Sequence, residues 1–458
     1  MTFIVTSDYE LQKVAPPALP QATPIYSQAY QDQFNNVLRL YFNRLNNILG
    51  QLMANIDTLP VSIGGTNVDA FGRLRVSQPY TLFDSQNRYA ADNQFDVATT
   101  GTGTTTYLPN EAAVKMEVTA GGVGSVTRQS YRSFPYQPGK GLLVLATFVM
   151  DGNQSLNLTQ RVGYYNDQNG VFFQRVDGTY SFVLRSYVTG TASDARTVNQ
   201  DDWNGDKLDG TGASGYTLDP SKAQILWMDF EWLGVGSVRC GFIINGQYIV
   251  CHTFNNANEI TNVYMTTAIL PVRYEIKTVT SAVAASMKAI CCSVVSEGGF
   301  EQTSIDHVAR RTTILGTIGT TFLPLVSIRL ASSRLGSVVL PNRIQVLPTT
   351  SQNYEVALVK NPTLTGASWV AVPTDSNVEY DVSASATTGG SIVQTDYVTS
   401  SGSGGVGNTS EPTGYNWDLQ LGASIAGVSD IYTIAIRTVS GATTGDAVGS
   451  LSFYDLTQ

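Results

Sequence analysis

Two carboxylates raise the question of chemistry. In the segment WMDFEWLG, Asp229 and Glu231 stand two positions apart, so on a β-strand they project from one face about 6.6 Å apart along the backbone. Retaining glycosidases hold a carboxyl pair about 5–5.5 Å apart, close enough to make cleavage of a sugar bond the chemistry to test. Trp227 falls on the same face and offers an aromatic platform for a sugar ring. The face has three readings: a solvated strand surface, a glycan-contact face of Trp227, Asp229 and Glu231, and a hydrolytic pair.

The hydrolytic reading lacks its remaining parts. Glucanases on concanavalin-type sandwiches carry a Glu-x-Asp-x-x-Glu strand, but here Trp227 replaces the first Glu and Trp232 the last. The chain has two histidines, His252 and His307; His252 lies inside an expected strand and reads as structural or surface. No Gly-x-Ser-x-Gly elbow occurs, and PYQPGKGLL lacks the upstream Gly and the Ser/Thr of a phosphate loop. In DDWNGDKLDGTG, Asp202, Asn204 and Asp206 alternate like the opening of a calcium loop. Lys207 stands where that loop needs Gly and Ala213 where it needs the bidentate Glu, so the segment reads as a solvated turn. The expectation is no catalytic residue, no metal site and no cofactor.

The elements that must position these side chains are strands. VFFQRVDGTYSFVLRSYV is two strand runs around Asp177–Gly178, a strong hairpin signal. QILWMDFEWLGVGSVRCGFIINGQYIVCHTF continues as a three-strand meander turning at Asn245–Gly246, with Leu226, Met228, Phe230 and Trp232 on one face and Trp227, Asp229 and Glu231 on the other. A two-residue turn there sets Cys240 directly opposite Cys251, and an apolar flank in a reducing compartment favours two buried thiols over a bridge. One buried and one open face describe a sandwich. The expected class is mainly β, with a large antiparallel jelly roll of the concanavalin/laminin-G kind and a smaller C-terminal β domain.

One helix interrupts this pattern. In FNNVLRLYFNRLNNILGQL the residues Phe34, Leu38, Tyr41, Leu45, Ile48 and Leu52 recur at steps of 4, 3, 4, 3 and 4, a coiled-coil seam about 28 Å long. Leucine at one heptad position and bulky or β-branched residues at the other lean away from dimers, towards trimers or tetramers; the expected assembly is a homotrimer, and the other reading is an ordinary helix docked on its own domain. The segments follow in order: an extended Pro-rich attachment arm at 1–24, the oligomerising helix at 25–60, the large sandwich at 61–300, a connector at 301–345 and the C-terminal β domain at 346–458.

Composition narrows the partners. Net charge is −9, and charged residues make up 14% of the chain against an average of about 25%, so a nucleic-acid partner is not expected. No apolar run is long enough to span a bilayer. The segment MTFIVTSDYELQKV lacks a basic n-region and an apolar h-region, which implies synthesis in a cytoplasm.

Four strings carry a resemblance: DAFGRLRVSQPYTLFDSQNRY, DPSKAQILWMDFEWLGVGSVRCGFIINGQ, ILPVRYEI and KNPTLTGASWVAVPTDSNVEYD. Across residues 65–280 and 350–455 the chain resembles virion structural proteins of tailed bacteriophages, especially marine and cyanobacterial phages. The resemblance implies a virion component, a tail fibre, spike or capsid-attached appendage; the expected partners are further copies of the chain, capsid, neck or tail proteins through the N-terminal arm and, as one reading of the strand face above, a host-surface glycan. A capsid-bound head fibre or decoration protein with a glycan-binding jelly roll is the alternative, and a polysaccharide depolymerase the third reading.

Overall fold

The computed structural model describes residues 17–21, 24–58, 78–151, 157–280, 284–301, 303–373, 375–399, 408–410, 417–441 and 444–457, with the backbone alone for 48–58 and 408–410. Most of the expected arm and the segment leading from the helix into the strands lie outside the described residues. The chain divides into two compact units, residues 1–76 and Ser77–Gln458.

The first unit carries the helix Gln28–Thr58. Ser27 caps it, its Oγ accepting the Tyr30 N–H at 3.4 Å, which satisfies one of the free amides of the first turn. Phe34, Leu38, Tyr41 and Leu45 are half-buried along one side, while Leu40 and Phe42 are more than half exposed. The side chains of Ile48 and Leu52 lie outside the described residues.

The second unit is mainly antiparallel β and holds two large cores. In the first sandwich an eight-stranded sheet faces a seven-stranded one. The central strand Leu142–Asp151 shows why: Leu142, Val144, Ala146, Phe148 and Met150 alternate onto one face and are all buried, so a single face must be covered by a second sheet. One edge of the eight-stranded sheet is Gln247–Phe254, and one edge of the seven-stranded sheet is Ser193–Asn199. Both hairpins turn through paired left-handed residues, Asp177 (φ 51°) with Gly178 (φ 86°) and Asn245 (φ 51°) with Gly246 (φ 78°), the twist that two-residue hairpins require.

The second hairpin departs from simple pairing. Gly241 pairs Val250 but Cys240 pairs His252, with Cys251 as the extra residue of a bulge. Cys240 and Cys251 are therefore not directly opposite, and both are buried free thiols. Burial pushes both thiols well above their ordinary pKa, which keeps them protonated and unreactive.

Residues 301–345, expected as a connector, instead supply strands to the second core: Ile305–Ile318, Leu323–Leu330 and the start of Val339–Pro348. Ile305–Ile318 is an edge strand exposed on most of both faces, so it carries no hydrophobic alternation. Leu323–Leu330 is central and buried along most of its length, with Ser327 and Arg329 interrupting its apolar residues. The second sandwich pairs a four-stranded with a six-stranded sheet.

The two sandwiches are joined through residues 417–425. Arg132 Nη1 donates to the Trp417 carbonyl at 2.5 Å, Gln420 Nε2 to Ser133 O at 2.7 Å, and Ala423 N to Tyr131 O at 2.8 Å.

Candidate functional site

The strand Gln224–Phe230 holds the residues first singled out. Its inner face carries Leu226, Met228 and Phe230 into the large core. Trp227 is on the outer face, yet it is 3% exposed and offers no stacking platform. The neighbouring strands close over it. Its indole Nε1 donates to Ile249 O at 3.2 Å, the Tyr248 ring meets it edge-on at 5.5 Å, and the Arg239 guanidinium lies 5.9 Å from its ring centre. Gly241 makes room for this arrangement, since a Cβ there would sit 2.9 Å from the indole nitrogen and 1.9 Å from Ile249 O. Trp227→Ala is expected to cost about 3–5 kcal/mol, read as a lowered thermal midpoint.

Asp229 and Glu231 also have separate fates. Asp229 is paired across the strands with Arg239, its register partner. Glu231 lies past the strand end, exposed, with its N–H donating to Ser237 O at 3.3 Å. Glu297 is nearby; burial first, and then Asp229 and Glu231, hold its carboxyl above the usual range. The expected contact face of Trp227, Asp229 and Glu231 is thus a buried ring, an ion pair and a loop carboxylate.

The turn that resembled a calcium loop is built around Asp206. Its carboxylate accepts Ser214 N–H at 2.7 Å and Leu208 N–H at 2.9 Å. Burial raises its pKa, but these amide bonds outweigh burial and hold it low. Asn204 exchanges bonds with Thr253, Nδ2 to Thr253 O at 2.9 Å and Thr253 N to Oδ1 at 2.8 Å, tying the turn to the edge strand. Among the described residues no group of three or more His, Cys, Asp or Glu side chains is placed to hold a metal ion.

A different surface brings aromatic rings together. A groove of about 530 Å³ opens where three loops of the first sandwich meet Phe300, Glu301 and Thr303 and the residues Leu456 and Thr457 that follow the last strand. Tyr136, Trp232 and Phe300 line it, each half-buried. Each ring is fixed. Trp232 Nε1 donates to Met265 O at 3.2 Å, and Tyr136 packs edge-on against Trp232 at 6.0 Å while its hydroxyl accepts Leu233 N–H at 3.3 Å. Phe300 meets Trp417 edge-on at 5.0 Å. Gln137 pins the segment that carries Phe300, its Nε2 donating to Glu301 O at 2.6 Å and its Oε1 accepting Glu301 N–H at 2.9 Å. Lys140 adds a cation, 3.0 Å from Gln137 Oε1 and 3.6 Å from Glu301 Oε1.

Period-two alternation set Trp232 among the core residues, but the strand ends at Phe230 and the chain turns, so Trp232 comes to the groove wall. Tyr136 and Phe300 carried no periodic signal. The available clue was placement: Trp232 in WLGVG and Phe300 in EGGF are aromatic residues in Gly-containing loops, where a ring is rarely needed for a core.

No protein-family model matches the chain, and no curated protein matches it. Among solved structures, the Emp47p carbohydrate recognition domain aligns over 51% of this chain and 99% of its own length at 8% identity, with a TM-score of 0.31. The CBM2 module of the evolved Dit of Lactobacillus casei BL23 phage J-1 aligns over 50% of this chain and all of its own, at 5% identity and a TM-score of 0.33. The binding domain of botulinum neurotoxin DC in complex with SialylT aligns over 44% of this chain and 42% of its own at 10% identity, with a TM-score of 0.25. At these scores the likenesses carry no argument about what this chain binds.

Proposed function

We propose that this chain is a structural component of a phage virion, a homotrimeric tail fibre, spike or other appendage held by its N-terminal arm, whose β body contacts a host-surface glycan through the Tyr136–Trp232–Phe300 groove. The groove carries the binding part of this reading. Half-exposed rings with apolar faces can stack on the C–H face of a sugar, while Gln137, Lys140, Glu301 and Thr303 around them can exchange hydrogen bonds with its hydroxyls. Its volume lies in the range of about 300–1,000 Å³ that small-ligand sites occupy. The virion part rests on the four resembling strings, and the trimer on the seam of the helix. A trimer would triple weak sugar contacts into useful avidity.

Binding is favoured over cleavage by one observation: of the two carboxylates first considered, Asp229 is neutralised by Arg239 and neither lines the groove. The test is to titrate the intact protein with host-envelope polysaccharide and follow tryptophan fluorescence. Trp232→Ala and Phe300→Ala should each weaken binding roughly tenfold or more, with Trp227→Ala as the control that keeps it. Unchanged affinity in both groove variants would remove the groove from the proposal, and release of reducing sugar would replace binding with hydrolysis.

A further inference from the structure

A second cleft, of about 390 Å³, lies on one flank of the first sandwich between the two edge strands Ser193–Asn199 and Gln247–Phe254. Its lining is polar: Arg196, Asn204, His252, Thr253, Asn255 and, on the rim, Glu259. The half-buried Arg196 lies 5.4 Å from the centre of the Phe254 ring. Its guanidinium donates to Asn256 Oδ1 and, at 3.2 Å, to Asn255 O. Both partners are neutral, and those two bonds use two of its five N–H groups. Among the described residues no carboxylate is ion-paired with it. Two other arginines of the same sandwich hold carboxylates, Arg185 with Asp194 at 2.7 Å and Arg273 with Asp167 at 2.6 Å, whereas Arg128 and Arg132 donate, like Arg196, to neutral groups.

His252 supplies a second donor. Its Nδ1 accepts the Asn204 N–H at 3.3 Å, which leaves the ring proton on Nε2. The bulge at Cys251 sets this histidine's register, a common use of bulges beside binding sites.

We propose that this cleft binds the carboxylate of an acidic sugar, a uronic acid unit, on Arg196. The fork of the guanidinium matches a carboxylate in shape. One uncompensated positive charge balances one carboxylate and would leave a phosphate dianion under-neutralised beside Glu259. The amide of Asn255 and the hydroxyl of Thr253 suit the hydroxyls of a sugar ring, while Asn204 is tied to the Thr253 backbone. Burial, and then the Arg196 charge, hold His252 below its ordinary pKa, so at neutral pH it serves as a neutral donor rather than a second cation. The net charge of −9 does not bar an anion, because at physiological salt charges beyond about 8 Å are largely screened.

This site is independent of the aromatic groove. The experiment is NMR titration of the intact protein with D-glucuronate, with D-glucose, acetate and inorganic phosphate in parallel. The chain has two histidines, and His307 lies in the second sandwich, so it serves as the internal reference. Glucuronate should move the His252 ring resonances saturably and leave those of His307 in place. Glucose and acetate should each bind at least about tenfold more weakly, and Arg196→Gln should lose about tenfold in affinity for glucuronate. Trp232→Ala should leave the titration unchanged. The His252 readout is made on the unmodified protein, so it stands even if Arg196→Gln fails to fold. Equal binding of glucose, tighter binding of phosphate, or saturation without movement of His252 would overturn the proposal.

Discussion

Purified protein is expected to scatter light as three copies of the 49.3 kDa chain, and Leu45→Asp to scatter as one. The seam from Phe34 to Leu52 alternates by four and three residues, and its flanks are Asn, Gln and Arg with few opposite charges to select a partner. Within the isolated chain Phe34, Leu38, Tyr41 and Leu45 remain half-exposed, and Leu40 and Phe42 more so. A helix with that much uncovered apolar surface gains from copies of itself, since helix stability in proteins comes mainly from packing of an apolar face. In a trimer Leu45→Asp would bring three carboxylates to one axis, each desolvated and unpaired, costing several kcal/mol. The β body has its own cores, so its thermal transition should hardly move. A monomeric wild type, with the variant unchanged, would end the seam hypothesis.

What the sequence made legible was local. Alternation over Leu142–Asp151 and the turn pairs Asp177–Gly178 and Asn245–Gly246 are properties of a few neighbouring residues, and the fold uses them directly. The helix is likewise a local pattern, found at Gln28–Thr58 within the expected segment 25–60. What failed was anything decided by distant partners. Period two placed Trp227 on the outer face correctly, but only Arg239, Gly241, Tyr248 and Ile249 on later strands decide that the outer face is covered there. One bulged residue, Cys251, shifted the cysteine register, and no pattern in VRCGFIINGQYIVCHTF marks it. The groove assembles Tyr136, Trp232 and Phe300 from three separated loops, and the second cleft joins two sheet edges that the sequence does not show to be neighbours.

Deleting residues 1–24 is expected to abolish incorporation into particles while leaving the free protein's thermal unfolding and oligomeric state nearly unchanged. That stretch carries Pro16, Pro17, Pro20 and Pro24 and too little periodic apolar sequence for a core of its own. The helix should survive the cut, because its cap Ser27 and its first turn lie beyond the deletion. The loss on the described side includes the hydrogen bond from Tyr30 Oη to Pro20 O at 3.2 Å, a contact worth about 1 kcal/mol or less where water can replace it. Attachment is different: on the proposed reading the prolines would restrict the free chain and so reduce the entropy lost on docking, and Ile4, Leu11, Val14 and Leu19 would supply apolar contacts for a groove on a capsid, neck or tail protein. The measurement is occupancy of the truncated protein in assembled particles, compared with full-length protein supplied at the same level. Full occupancy without residues 1–24 would move the docking surface to the helix or the β body.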